Sequence, residues 1–477
     1  MSAEVVLACD LGGSSFRAGL IDGQGRVLGQ VSRAADLAGD PALWWRALIE
    51  AVTALADEAA FGRVSAIAIS AVTRTQVLLD REGVVLRPAL LWRDTSAQAH
   101  LGALRAMLPV HAESGAMNAF HPLARLFALS RTEGEVLARA ACVVEPKDFL
   151  NFRLTGRVAI DRISGARLIA SADLLAVLGL DPGLVPEVLA PTDVVGVVRS
   201  GLPGALGRLA GVSVLAMATD TWAAVLGLGA MRRGIAYNLS GTTEVLGLMD
   251  RDPVVAEGLI TIGWGEGLFQ IGGPSQTGAD SLAWLSGVIG HPVSGLEGLL
   301  AQAGGAQPVL FLPYLQGERV PYWDPALRGA FIGLHRSHGP ADLALAVLEG
   351  VAFLNRIVLG AAEAACGGAA REVRFGGGGA ASAAWCQIKA DVLNRPVVVV
   401  DEAEPGLIGA AIVAFASLGV VADLEDGQSR LVRPRRRFLP VAERVAWYDR
   451  LFPQFRAAEA GLAPISRALA QWGTNPV

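Results

Sequence analysis

Two aspartates and three runs of small residues carry the chemistry open to this sequence. Asp10 closes an apolar stretch in "VVLACDLGGSSFRAGLIDGQGRVLG" and is followed by a turn longer and more polar than a hairpin requires. Glycine lets backbone N–H groups approach an anion closely, and hydroxyls add further donors. Three such runs occur: "GGSS" at 12–15, "GTT" at 241–243 and "GGGG" at 376–379. The last lies between a strand and a helix, where free N–H groups suit a phosphate or nucleotide. No Walker A motif and no Rossmann fingerprint is present. Alone, each run has a plain reading, a Gly-rich hairpin with Asp10 capping its turn or a flexible corner. Together they favour a nucleotide.

Asp220, in "MATDTWAAVLG", is flanked by apolar residues and so belongs at a strand-to-helix junction near the core. It can cap the helix that starts near Thr221. It can also act as a general base, an acid fixed at a helix N-terminus and able to take a hydroxyl proton. The residue types leave both roles open. The charged, Pro-rich and aromatic stretch "ERVPYWDPALRGAFIG" at 318–333 does not fit a core strand and is expected as a docked loop.

The elements around these residues alternate in type. "EVVLACDL", "FRAGLID" and "RVLGQVS" predict strands joined by tight turns. "DPALWWRALIEAVTALADEA" predicts a helix with Asp40 at the N-cap and Pro41 at N1. A strand "VSAIAIS" and a hairpin "TQVLLDREGVVLRPALLW" follow; residues 100–190 are mostly helical, and 181–196 is loop-like. The second half repeats the opening pattern: "IAYNLSGTTEVLGLM" echoes "LACDLGGSSFRAGLI" as strand, small turn and strand. A long helix from Asp342, the strand "EVRFGGGG", another helix and the strand "RPVVVV" come after it. The expectation is a duplicated α/β unit with a cleft between the halves.

At 477 residues the chain exceeds one core, and two domains are expected, 1–248 and 249–477. Hydrophobic residues make up 52% and charged ones 18%, a composition that folds. A net charge of −5 gives no reason to expect nucleic acid or a membrane as partner. The basic run "RPRRR" at 433–437 is short and is expected to be a solvated turn. Four cysteines without CxxC spacing suggest thiols rather than zinc or disulfides. With no secretory signal pattern at the start and no uninterrupted apolar span, a cytoplasmic protein is expected.

The same residues resemble the FGGY family of carbohydrate kinases, and the resemblance runs along essentially the whole chain. It is carried by "CDLGGSSFRAGLID", "ALLWRD", "EPKDFLNFRLTGRVAID", "MATDTWAAVLG", "LSGTTEVLG", "LPYLQGERVPYWDPALRGAFIGL" and "FGGGGAASAAWCQIKADVLNRPV". It implies two domains of the actin/hexokinase type (ribonuclease H-like), with ATP and Mg²⁺ as cofactors. By resemblance, Asp10 would hold Mg²⁺ through water, while Gly12, Gly13, Ser14, Ser15 and Arg17 would surround the γ-phosphoryl group. Gly241 and Thr242 would grip it from the second domain. Gly377, Gly378 and Gly379 would pass under the adenosine, with Ser382 near the base. Asp220 would deprotonate the attacking sugar hydroxyl, and Arg74, Trp92 and Asp94 would line the substrate side. Family members often dimerise, so a homodimer is the assembly implied.

Two departures from the family pattern stand out. Gly13 replaces a usual threonine. Thr73 and Arg74 stand where xylulose-phosphorylating members carry Met-His and glycerol-phosphorylating ones Arg-Glu. The Arg74 fork can bind hydroxyls, or a carboxylate bidentately; its plain reading is a surface ion pair. The reaction implied is ATP-dependent phosphorylation of a small sugar or polyol, a ketopentose such as xylulose ahead of glycerol, a tetritol or a sugar acid. A non-catalytic nucleotide-binding sensor of the same fold, and a slow ATPase with a different acceptor, are the alternatives.

Overall fold

The computed structural model describes residues 4–13, 15–34, 39–301, 303, 307–401 and 404–472. The chain forms two compact units, residues 1–227 with 404–432 and residues 228–403 with 433–477. In the first unit six strands form one sheet: β1 (Val5–Leu11), β2 (Ser15–Asp22), β3 (Val27–Ala34), β4 (Val64–Ala71), β5 (Val194–Val197) and β6 (Ser213–Leu215). Their order is β3-β2-β1-β4-β6-β5. The β1–β2 hairpin is antiparallel and sets Asp10 opposite Arg17. β4 runs parallel to β1 with Ser70 beside Asp10, and β6 runs parallel to β4. The carboxyl ends of β1, β4 and β6 therefore lie side by side.

Every residue of β1 is buried, as an apolar run covered on both faces must be. Trp44, Leu48 and Val52 of the Pro41–Leu55 helix join one core cluster with β1. That helix begins as its sequence predicts, with Asp40 accepting from the Ala42 N–H at 2.9 Å and Pro41 in the first turn. The apolar helix Pro405–Ser417 also packs on β1 and β4, and all its residues from Pro405 to Phe415 are buried.

The Pro405–Ser417 helix meets the helix Asp220–Gly227 at unusually close range. A Cβ on Gly227 would lie 1.8 Å from the Pro405 carbonyl oxygen, and one on Gly409 would lie 1.9 Å from that of Ala223. Gly409→Ala is therefore expected to push apart the helix that carries Asp220, costing roughly 1–3 kcal/mol or more. Chemical denaturation of the variant measures this; an unchanged midpoint would mean that the contact has slack.

The second unit repeats the plan. Its strands are β7 (Ile235–Ser240), β8 (Glu244–Asp250), β9 (Ile260–Gly263), β10 (Phe269–Pro274), β11 (Glu372–Gly376), β12 (Val397–Val400) and β13 (Pro434–Phe438). They pair in the order β9-β10-β8-β7-β11-β12-β13. As in the first unit, an antiparallel hairpin (β7–β8) is flanked by two parallel strands, β11 and β12. The echo between the two sequence halves is thus an echo of topology. The helix Pro340–Cys366 is long and apolar enough to cross a membrane, but most of it is buried within the protein, and Asp342 accepts from the Gly339 N–H at its start.

Three expectations change. The division at 248/249 falls inside β8, which pairs with β7 and β10 in the second unit; the units part at 227/228 instead. Residues 404–432 return to the first unit because their apolar helix has its partners there. The run "RPRRR" is mostly edge strand, not turn: β13 pairs only with β12 among the described strands, and Arg437 reaches Glu372 at 2.8 Å. Proline at the first position of an edge strand costs no ladder bond. The loop-like stretch 181–196 also holds a short strand, Glu187–Leu189, paired with Ala159–Asp161.

Candidate active site

Asp10 sits near the carboxyl end of β1. Its Oδ1 accepts from Ser70 Oγ at 2.8 Å, and Oδ2 lies 3.5 Å from Arg17 Nη1. Arg17 also reaches Glu404 at 3.2 Å, so its charge is shared between two carboxylates. A Cβ at Gly406 would come within 3.4 Å of the Asp10 carboxylate; glycine there leaves it room. Burial raises the Asp10 pKa, with Ser70 and Arg17 opposing the rise. The turn after Asp10 is closed by the Gly12 N–H donating to the Ser15 carbonyl at 2.9 Å. Nothing stands within 4 Å of where a Gly13 side chain would begin. Ser14 lies outside the described residues.

Thr219, preceding Asp220, bridges Ala71 at the end of β4. The capping role belongs to Thr219, whose Oγ1 accepts from the Trp222 N–H at 3.2 Å. Asp220 Oδ1 takes another first-turn N–H, that of Thr221, at 2.6 Å, and accepts from Thr221 Oγ1 at 3.2 Å. Burial, and then the charge of Asp10, push the Asp220 carboxyl up to about 7. A base poised near neutrality is what proton abstraction requires. Asp10 and Asp220 interact, and the one arginine beside Asp10, Arg17, is divided between it and Glu404, which leaves the two carboxylates as an oxygen donor set short of positive charge. That suits a divalent cation held by one or two carboxylates together with substrate phosphates. Among the described residues no group of three or more His, Cys, Asp or Glu is gathered into an all-protein metal cage.

β4 continues through Val72, whose N–H donates to the Leu11 carbonyl at 3.0 Å, into Thr73 and Arg74. Arg74 has φ = 58°, in the left-handed region. Its N–H donates to Glu145 Oε1 at 3.0 Å, and its carbonyl accepts from Arg125. Arg125 also donates to the Trp92 and Asp94 carbonyls, each at 3.1 Å, and Thr75 Oγ1 accepts from the Trp92 N–H at 3.2 Å. One buried arginine thereby holds all three expected substrate-side residues. Trp92 is 46% exposed, and Asp94 accepts from the Ser96 N–H at 2.8 Å.

Sequence reasoning missed Arg125 and Glu145. Arg125 stands among apolar residues of the Pro122–Thr132 helix, where a charge on a buried face could have marked it. Glu145 opens the stretch "EPKDFL" and is raised well above a usual carboxyl, first by burial and then by Asp148. Beside it Lys147 pairs with Asp148, and with Asp161 at 2.7 Å.

In the second unit β7 and β11 are parallel, with Leu239 beside Gly376, so the "GTT" and "GGGG" turns emerge from neighbouring strand ends. Gly241 and Thr242 are exposed. Their carbonyls accept from the Ala279 and Asp280 N–H groups at 3.0 and 3.3 Å, so the turn rests on the start of the helix Asp280–Ile289. Gly377 has φ = 83°, and a Cβ there would lie 2.3 Å from the Ser240 carbonyl oxygen. One on Gly379 would lie 2.6 Å from Ser240 Oγ, a buried hydroxyl without a hydrogen-bond partner. Gly378 faces open space. Ser382 caps the helix Ala383–Leu393, accepting from the Trp385 N–H at 3.2 Å. This surface of backbone and glycine fits a flat or phosphorylated group.

Comparison with known proteins gives the family. The N-terminal domain model of the FGGY family of carbohydrate kinases matches residues 5–227, and the C-terminal domain model matches 236–418. The chain belongs to the FGGY family of carbohydrate kinases. Xylulose kinase of Escherichia coli (strain K12) is 29% identical, with 96% of this chain and 99% of that one covered. Apulose kinase of Pectobacterium atrosepticum is 28% identical over 88% and 90%. The crystal structure of xylulose kinase from Rhodospirillum rubrum superposes with a TM-score of 0.85 at 27% identity, covering 97% and 100%. The protein is accordingly a sugar kinase, an ATP-using enzyme whose substrate is a small sugar.

Proposed function

We propose that the chain transfers the γ-phosphoryl group of ATP to a hydroxyl of a small open-chain sugar, with a ketopentose such as xylulose as the reference acceptor. The observation that carries this reading is Asp220, poised near neutrality beside Asp10 at the ends of parallel strands. Asp220 takes the proton of the acceptor hydroxyl. The oxygen attacks phosphorus, the bond to the bridging oxygen of ADP breaks, and ADP leaves. Asp10 is the residue that would hold Mg²⁺, which supplies neutralisation of charge on the phosphate oxygens. Gly12, Gly13, Ser14, Ser15 and Arg17 receive the transferring group, and positioning does most of the work in such transfers. Gly241 and Thr242 bind phosphate, while Gly377, Gly378, Gly379 and Ser382 accommodate the adenosine. Arg74, Trp92 and Asp94 bind the sugar. The full-length similarity to xylulose kinases supports the ketopentose.

The test is ADP release from ATP and Mg²⁺ against ketopentoses, tetritols, glycerol, hexitols and sugar acids. A strong response to D-xylulose is expected. A rate that stays at its basal level with every acceptor, while ATP still binds, would sink the proposal and favour the sensor.

A further inference from the structure

We infer that the strand-end region around Arg74 is an anion-binding subsite of the acceptor site, selecting sugars that carry a carboxylate over their neutral counterparts. The inference rests on the phosphoryl-transfer reading above and adds sugar acids, as a preferred class, to its neutral reference acceptor. Its first support is position. β4 lies between β1, which carries Asp10, and β6, which leads to Asp220, and Arg74 follows β4 by three residues. Ligands of parallel α/β sheets bind just beyond such carboxyl ends.

The second support is the backbone. An arginine in the left-handed region costs of order 1–3 kcal/mol and persists only where its surroundings impose it. Here two ionisable side chains impose it, the half-buried Glu145 on the N–H and the buried Arg125 on the carbonyl. A surface arginine with no task needs neither.

The third support is charge. Among the described residues the Arg74 guanidinium has no ion pair or hydrogen bond, and Arg74 is open to solvent. The acids around it are otherwise engaged. Glu113 holds Arg167 at 2.9 Å and His121 at 3.1 Å, and Asp94 accepts from Ser96. Glu145 is pushed toward its neutral form by burial. An incoming carboxylate matches the exposed guanidinium fork with two parallel hydrogen bonds. A hydroxyl offers no charge in return.

Size-matched probes test the subsite: D-xylonate against xylitol, and D-gluconate against D-glucitol. Binding to the full-length protein is measured by calorimetry, and phosphorylation by ADP release, with D-xylulose as the reference. The acids are expected to bind more tightly than their polyols. Arg74→Asn removes the charge with a residue that tolerates the left-handed region, and is expected to shrink that preference roughly 10–100-fold. Arg74→Lys is expected to restore part of it. Acids that bind no better than polyols, or a preference unchanged in Arg74→Asn, would overturn the subsite. Silence of D-xylulose and every other acceptor in ADP release would instead count against the kinase reading, because binding preference is read separately.

Discussion

Replacing Asp220 with asparagine is expected to lower turnover roughly 10²–10⁴-fold, the usual worth of a general base, with nucleotide affinity kept. Asparagine Oδ1 can still accept from Thr221, so the local geometry survives and only the proton acceptor is lost. Stability supplies an independent check. A carboxyl whose folded pKa lies above its unfolded value favours folding at low pH, and that contribution is lost as pH rises. With Asp220 moved from 3.8 to about 7, the loss runs from about pH 4 to about pH 7. Asp220→Asn should therefore melt higher than the parent protein at pH 8, and the gain should shrink toward pH 4. In the parent protein, the acidic limb of kcat/KM should turn near pH 7. Near-normal turnover in the variant would return Asp220 to a structural role.

Lys389→Met should cost roughly 3–5 kcal/mol, the penalty for stranding one partner of a buried ion pair. Lys389 and Glu244 are each only 1% exposed. The ammonium donates to Glu244 at 3.0 Å, to Asn238 at 2.8 Å and to Asn355. Asn238 and Asn355 in turn donate to Glu244 at 3.2 and 2.8 Å. Glu244 is the residue immediately after the "GTT" turn, while Lys389 lies on the helix that follows the "GGGG" turn. The network therefore clamps both turns to the long helix Pro340–Cys366. Urea denaturation should show the loss, and the KM for ATP should rise with it. Adding Glu244→Gln to Lys389→Met should recover part of the stability, because the stranded charge is gone. A Lys389→Met midpoint indistinguishable from the parent's would show that the pair is dispensable.

Much of the candidate site was legible along the chain because its turns and caps depend on local events. Asp10, the "GGSS" and "GTT" turns and the Asp40–Pro41 helix start follow from strand period, glycine conformation and capping, each acting within a few residues. The repeated hairpin pattern also disclosed the duplication, since each copy keeps its own turn. The Asp220 roles stayed undivided at that level. Only the tertiary structure shows the Thr219 hydroxyl taking the Trp222 N–H while Asp220 takes that of Thr221.

By itself, the sequence determined which residues could cradle a phosphate or move a proton, and that two similar α/β units would carry them. The tertiary structure alone decided where residues 404–432 belong, which carboxylates feel one another, and what holds Arg74 in its left-handed backbone. Glu145 is 71 positions from Arg74, and Arg125 is 51 positions away. Lys389 meets a carboxylate 145 positions away. Local preference cannot encode such pairings. They come from burial, which brings distant polar groups out of water and leaves them only one another as partners.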